Sequence, residues 1–295
     1  MPSITASTRP SKRYPQRITV YLESQDDLEI LRERWFPTWG EWIIFTTVDL
    51  PEGGGGGSAA VRHRVTKDRN NDIRAYGIVD RDVMVRRETF FEPDAAIFDN
   101  AVRQFLGNYI KVLKRYEIEN YVLHPFAVHE YLTDHAPQKT PISVRILAKC
   151  MVDCSEEAIL LTAANLVLLE HDHRNLGMHF GMHSDKEPRD CKELRNKILE
   201  HLQKKAVENP DAALTDKYNR MIAFLRTTTT DPEERWDRIN RLIDPKMFLE
   251  RLSEVFDQKV TINKFALARS IKSHAIIDPE IADFMDALKR EAQTI

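Results

Sequence analysis

Residues 75–82 read Ala75-Tyr76-Gly77-Ile78-Val79-Asp80-Arg81-Asp82. A short apolar run that stops at an acidic pair predicts a strand ending at Asp80. Two other stretches end in the same way. Ile18-Thr19-Val20-Tyr21-Leu22 runs into Glu23, with Asp26 and Asp27 just beyond, and Ile110-Lys111-Val112-Leu113 is followed by Glu117 and Glu119. If these runs are strands of one parallel sheet, their carboxyl ends share an edge, and ligands of open α/β sheets bind in the crevice at that edge. Five or six carboxylates converging there repel one another unless they hold cations. Oxygen-only ligand sets select hard ions such as Mg²⁺ or Mn²⁺. Such sites mostly act on phosphate esters, which points to a metal-dependent phosphoryl-transfer enzyme of the nuclease type.

Outward from these runs, strand and helix alternate. A helix is expected from near Asp26, where acidic residues suit the first-turn dipole, and it stops before Pro37. Residues 42–48 read as another strand. Gly53 to Gly57 form a loop, and Ser58 is placed to cap a helix over residues 59–68. Residues 91–108 read as loop plus helix, and residues 110–115 as the last strand. The pattern predicts a doubly wound α/β unit over residues 17–135. Beyond it the strand signal fades. Residues 156–170, 188–208, 211–226, 231–241, 245–256 and 279–292 read as helices, with Asp231-Pro232 and Asp278-Pro279 as starts that put proline at the first helical position. Residues 136–295 are therefore expected to be mostly helical, as a second domain or an extension of the first. Residues 1–16, which carry Arg9, Lys12 and Arg13 and no acids, read as a disordered basic arm; Pro2, Pro10 and Pro15 oppose the amphipathic helix of a targeting presequence.

The chain has 295 residues, 42% hydrophobic and 30% charged, with a net charge of −3. That is enough apolar material for a real core. The near-neutral balance argues against a generic nucleic-acid binder, which is basic overall, so any such contact must come from local patches. No apolar stretch reaches the roughly 18 to 20 residues of a membrane span. The 3 cysteines are loosely spaced and suggest no disulfide framework, which fits a reducing cytoplasm.

Glu23-Ser24-Gln25-Asp26-Asp27 resembles the Glu-Gly-x-x-Asp signature of TOPRIM domains, with Ser24 in the glycine position. Ile78-Val79-Asp80-Arg81-Asp82 resembles their Asp-x-Asp motif, and Arg115 to Tyr121 resembles a third element of the stand-alone TOPRIM proteins related to OLD nucleases. The likeness covers about residues 17–130 and extends in length and layout to the TOPRIM effectors of PARIS-type anti-phage systems. It implies a Rossmann-like TOPRIM sheet followed by a mostly helical C-terminal half. It also implies Mg²⁺- or Mn²⁺-dependent cleavage of nucleic acid, with Glu23, Asp80 and Asp82 catalytic and Glu23, Asp27, Asp80, Asp82 and Glu119 as metal ligands. For this family it further implies an ABC-type ATPase partner, an RNA substrate such as transfer RNA rather than DNA, and a homodimer as the active state.

TOPRIM chemistry uses a basic residue to stabilise charge on the phosphate. Lys246, Lys264 and Lys272 can fold back to supply it, and Lys246 is the choice made here. Arg81 is expected to point away from the aspartates. Arg86, Arg87, Lys114 and Arg115 form a basic neighbourhood suited to a phosphate backbone. Three other signals carry less. The glycine run lacks the Gly-Lys-Ser/Thr ending of a P-loop and reads as a lid or linker. His171, His173, His179 and His183 match no standard zinc spacing. Arg195-Asn196 with His201 resembles the Arg-Asn-x4-His motif of HEPN ribonucleases, which would work without a metal. A non-catalytic TOPRIM-derived scaffold or sensor is the other alternative.

Overall fold

The computed structural model describes residues 17–48, 57–138, 140–182, 191–256 and 261–294. The basic arm, most of the glycine run and His183 lie outside the described residues.

Four strands form one parallel sheet: β1 (Ile18–Leu22), β2 (Ile43–Thr47), β3 (Ala75–Val79) and β4 (Ile110–Val112), in the order β2-β1-β3-β4. The register pairs Val20 with Phe45 on one side and with Tyr76 on the other, and Val79 with Val112. The chain leaves β1 towards β2 on one side and returns to β3 on the other. The order therefore reverses between β1 and β3, the place where the connections diverge and leave a crevice at the strand ends. β4 stops at Val112, short of the expected residue 115. Leu113 N–H still donates to Val79 O (3.0 Å) and Arg81 N–H to Tyr116 O (3.0 Å), so the chain after β4 stays laced to the end of β3.

Twelve helices are described. α1 (Gln25–Leu28) widens into π-type turns over Glu29–Trp35, with Arg34 paired to Glu29 five residues back. The helical path ends at Phe36, before Pro37, because the residue before proline is driven out of the helical region. α2 (Ser58–Arg69) lies against β3 and β1, and α3 (Ala95–Leu106) against β4. Ser58 is the first helical residue rather than the cap; Gly57, with φ +96°, takes the cap position, a conformation that favours glycine. α4 (Pro125–His135) and α5 (Val144–Asp153) fall outside the expected helical ranges, as does the helix Lys264–Ser273. There follow α6 (Ser155–Glu170), α7 (Cys191–Lys204), α8 (Pro210–Leu225), α9 (Pro232–Ile239), α10 (Pro245–Phe256), α11 (Lys264–Ser273) and α12 (Pro279–Gln293). Among the described residues no helix is long and apolar enough to cross a membrane.

The late helices return to the sheet. α11 packs on the π-type segment, where the fully buried Trp35 donates Nε1–H to Ala268 O (3.0 Å). α12 packs on β2, and its Glu291 accepts from the Tyr76 hydroxyl (2.6 Å) and through its carbonyl from Arg74 (3.2 Å). Burial of β1 and β3 on both faces explains their nearly continuous apolar reading. Gly77 is required by this packing. A Cβ there would stand 2.5 Å from Val61 Cγ1 and 2.9 Å from Ile110 Cδ1. Gly77→Ala is expected to cost about 1–3 kcal/mol by overpacking, seen as a lowered denaturant midpoint with an unchanged slope; an unchanged midpoint would show that α2 can retreat freely.

Candidate metal and phosphate site

Each acidic residue reaches the crevice for a local reason. β1 ends at Leu22, so Glu23 is the first residue past the strand. Its Oε1 accepts the backbone N–H of Asp80 at 2.9 Å, which ties the ends of β1 and β3 across the switch point. Ser24 then caps α1. Its hydroxyl accepts from Asp27 N–H (3.2 Å), and the Asp27 carboxylate accepts from Ser24 N–H (3.0 Å), a reciprocal capping box. The serine in the glycine position of the TOPRIM-like signature thus has a structural task. Asp27, expected only as a ligand, is also the cap partner, while Asp26 pairs with Lys264.

Asp80 and Asp82 flank Arg81, whose guanidinium is buried on the other side, donating to Phe90 O, Glu92 O and Lys114 O. Only Asp80 is extended (φ −66°, ψ 157°); Arg81–Met84 form a tight helical turn, so the turn, not strand alternation, sends Arg81 away from the acids. Glu117 opens a single tight helical turn, Ile118–Tyr121, and its N–H donates to Asn120 Oδ1 (2.8 Å). The Asn120 amide continues to Asn240 Oδ1 (3.2 Å) and Ile243 O (2.9 Å), which carries the link to the segment entering α10. There Asp244 caps α10, accepting from Lys246 N–H (3.0 Å) and Met247 N–H (3.1 Å).

Lys246, two residues into α10, is delivered to the carboxylates by this chain of hydrogen bonds. Its ammonium lies 2.8 Å from Glu117 and 3.8 Å from Glu119. Lys264, the first residue of α11, lies 2.9 Å from Glu119 and also pairs with Asp26. The expectation that C-terminal lysines fold back therefore holds for Lys246 and Lys264. It fails for Lys272, which faces the Phe36 ring at 5.8 Å. Asp244 is a site residue that sequence reasoning missed. Glu117, named among the strand-end acids but given no ligand role beside Glu119, is buried. Asp244-Pro245 has the same helix-start form as Asp231-Pro232 and Asp278-Pro279, and that form alone does not say which start faces the crevice.

The electrostatics are those of anions crowded without enough counter-charge. Burial, then repulsion from Asp82, pushes the Glu23 carboxyl up to about 8, against the pull of the Asp80 N–H. Burial pushes Asp27 up to about 6, opposed by the Ser24 hydroxyl. Asp80 is raised well above its ordinary range by burial and by Glu117 and Glu23. Burial raises Asp82, partly offset by Lys246. Burial likewise raises Glu117 to about 8, although Lys246 opposes it. For Lys246 burial disfavours the charge, but Glu117 and Glu119 outweigh that and hold the ammonium protonated. The buried Tyr116 hydroxyl, which feels Asp244, Asp82, Glu117 and Asp80, has no hydrogen-bond partner among the described residues.

Comparison with protein-family models, with curated proteins and with solved structures finds no match. The site must therefore be judged on its own chemistry. The donors are all oxygens and negative charge is in excess, which suits a hard divalent ion. Among the described residues, however, no three histidine, cysteine, aspartate or glutamate side chains are drawn together as a formed metal centre. Instead Lys246 acts on Glu23, Asp27, Asp80, Asp82 and Glu117 alike. The charge fits a cation; the close contacts of these acids are to ammonium groups, Lys246 on Glu117 and Glu119, and Lys264 on Glu119 and Asp26.

The basic neighbourhood is partly corrected. Arg115 is not available to a phosphate backbone: it is paired with Asp237 (2.7 Å) and Asp278 (2.9 Å), so its third-element position serves to lock α9 and α12 to the sheet. Lys114 pairs with Asp99 (3.0 Å). Arg87 stands 4.1 Å over the Phe105 ring. Arg86 is about half exposed and pairs with Asp172 (2.5 Å). The HEPN-like residues do not form a joint site. Arg195 donates to Asp211 and Thr215 of α8 (both 2.7 Å), whereas His201 meets the Phe180 ring edge-on at 5.5 Å; six helical residues turn through about 240°. His173 contacts Lys205 O (2.9 Å) and His179 pairs with Glu250 (3.5 Å).

Proposed function

We propose that this chain is a Mg²⁺-dependent nuclease of TOPRIM type. The observation that carries the reading is the electrostatic field that Glu23, Asp27, Asp80, Asp82, Glu117 and Glu119 share beyond the strand ends, with Lys246 brought in from more than 120 residues away. Glu23, Asp27 and Asp80 would hold one divalent ion, and Asp82 and Glu119 a second. Bound there, the metal would supply Lewis-acid stabilisation of a phosphodiester and activation of water. The protein's own part is to hold the carboxylates on stiff strand ends and to present the Lys246 ammonium to the phosphate. By the TOPRIM likeness the substrate would be RNA, and the chain would serve anti-phage defence as a toxic effector governed by an ABC-type ATPase and active as a homodimer.

Metal binding has a test that does not depend on turnover. A carboxyl whose folded proton affinity is raised stabilises the fold below its ordinary range, and that stabilisation is lost as pH rises through the folded value. For Glu23 and Glu117 that window runs from about pH 4.5 to about pH 8. In EDTA the melting temperature is expected to fall from pH 6 to pH 8.5. Mg²⁺ or Mn²⁺ should restore it, more strongly at pH 8.5 than at pH 6, because fewer protons must be displaced. Melting curves unmoved by either ion at both pH values would remove the metal from this reading, and survival of nuclease activity in EDTA would do the same.

A further inference from the structure

Beside the carboxylates lies a cavity of about 370 Å³ whose lining includes Glu119, Lys246 and Lys264. It runs between α10 and the start of α11, walled by Met178, Leu249, Ile262 and Phe265. Its size falls within the roughly 300–1,000 Å³ of small-ligand pockets. The start of α11 is held in place from two directions. The Tyr131 hydroxyl donates to Thr261 O (2.8 Å), and Asn263 caps the helix, accepting from Phe265 N–H (2.9 Å) and Ala266 N–H (3.2 Å). Lys264 then faces two ways, with its ammonium on Glu119 and 5.5 Å from the Phe265 ring centroid.

We infer that this cavity is a subsite for one unpaired base of the nucleic-acid strand, next to the phosphate that Lys246 and the proposed divalent ion would hold. The inference rests on the nuclease reading and deepens it. A phosphodiester carries a sugar and base on each side, so the nucleotide nearer α10 and α11 would meet a cavity lined by the Lys246 and Lys264 ammonium groups on Glu119 and by Met178, Leu249, Ile262 and Phe265. That combination suits a phosphate together with the flat face of a base. A base still stacked and paired in a duplex cannot enter a cavity of this kind, because it must first leave the stack. Of the polar lining (Tyr131, Glu250, Ser253, Thr261 and Asn263), Tyr131 is spent on Thr261 O, Asn263 caps α11 and Glu250 pairs with His179, so the subsite should accept bases broadly, as aromatic and apolar platforms do.

The test is equilibrium binding of fluorescein-labelled ten-nucleotide strands to the full chain in Ca²⁺, with RNA, DNA and the corresponding duplexes as separate arms. A single strand should bind at least about tenfold tighter than its duplex, and the RNA and DNA arms identify the sugar accepted. Phe265→Ala should weaken single-strand binding by about tenfold, in the range set by base–aromatic stacking, and Phe265→Trp should restore it. An abasic nucleotide walked along the strand should reproduce the loss at one position in the wild type and add nothing in Phe265→Ala. Leu249→Gln, on the α10 wall, gives the same comparison if Phe265→Ala lowers the folded fraction. Equal binding of duplex and single strand, or wild-type affinity in both wall variants, overturns the subsite. If the nuclease reading alone fails, strands stay intact in Mg²⁺ while the Phe265 effect persists; if the subsite alone fails, cleavage in Mg²⁺ persists while the wall variants bind as wild type does.

Discussion

Glu23→Gln and Asp80→Asn should each abolish Mg²⁺-dependent cleavage while leaving the protein folded. The loss should exceed the roughly 10–100-fold that follows removal of an outer-shell partner of a metal, because these groups are proposed to touch the ion. Folding should survive for a specific reason. Glutamine keeps an oxygen at the place where Glu23 accepts the Asp80 N–H, and both changes delete a crowded negative charge. In EDTA the melting temperature of either variant at pH 8.5 should therefore equal or exceed that of the wild type, and the fall between pH 6 and pH 8.5 should shrink. The Mg²⁺-induced rise should shrink with it. In cells, sequencing of RNA and DNA ends after induced expression should show new termini with the wild type and none with Glu23→Gln, and the class of termini names the substrate. Full cleavage by both variants would dissolve the assignment of this crevice as the catalytic centre.

Arg115→Met is expected to give the largest loss of stability. Its side chain is only 13% exposed and faces Asp237 and Asp278. Burial opposes its charge, and the two aspartates more than offset that. Removing one partner of a buried ion pair typically costs about 3–5 kcal/mol. The lower end, about 3 kcal/mol, is expected here because Asp237 is 44% exposed and can rehydrate. At roughly 2–4 °C per kcal/mol the melting temperature should fall by about 6–12 °C. Adding Asp237→Asn and Asp278→Asn should recover part of the loss. An Arg115→Met protein with wild-type melting but weaker, less salt-dependent RNA binding would return Arg115 to the phosphate-contacting set.

The contrast between Glu23 and Arg115 shows where sequence reading succeeds. Strand ends are legible because β1 and β3 are buried on both faces, so their apolar runs stop where sheet packing gives way to the polar crevice, and Glu23 and Asp80 mark those points. Helices that start at Asp-Pro are legible because proline at the first turn and an aspartate cap are local signals. α4 and α5 were missed although His124 and Ser143 cap them through local hydrogen bonds; their hydrophobic faces are legible only against α11 and α9, the helices they pack on. Arg115 was misread because a basic residue beside Lys114 looks the same whether it faces solvent or an aspartate 122 or 163 positions away.

Local patterning by itself determined that a parallel-type α/β unit comes first, that helices follow, and that acidic side chains stand at the strand ends; backbone propensity and burial act over a few residues, so a few residues record them. Only the tertiary structure decided that β1 and β3 are neighbours across the reversal of strand order. It alone chose Lys246 and Lys264 over Lys272 as the lysines among the acids and added Asp244 to the group. Charge acts through space, and the positions that share a field here are separated along the chain by as much as the distance from Glu23 to Lys264. Their company is set by how the late helices pack back onto the sheet, for which no short stretch of sequence carries a record.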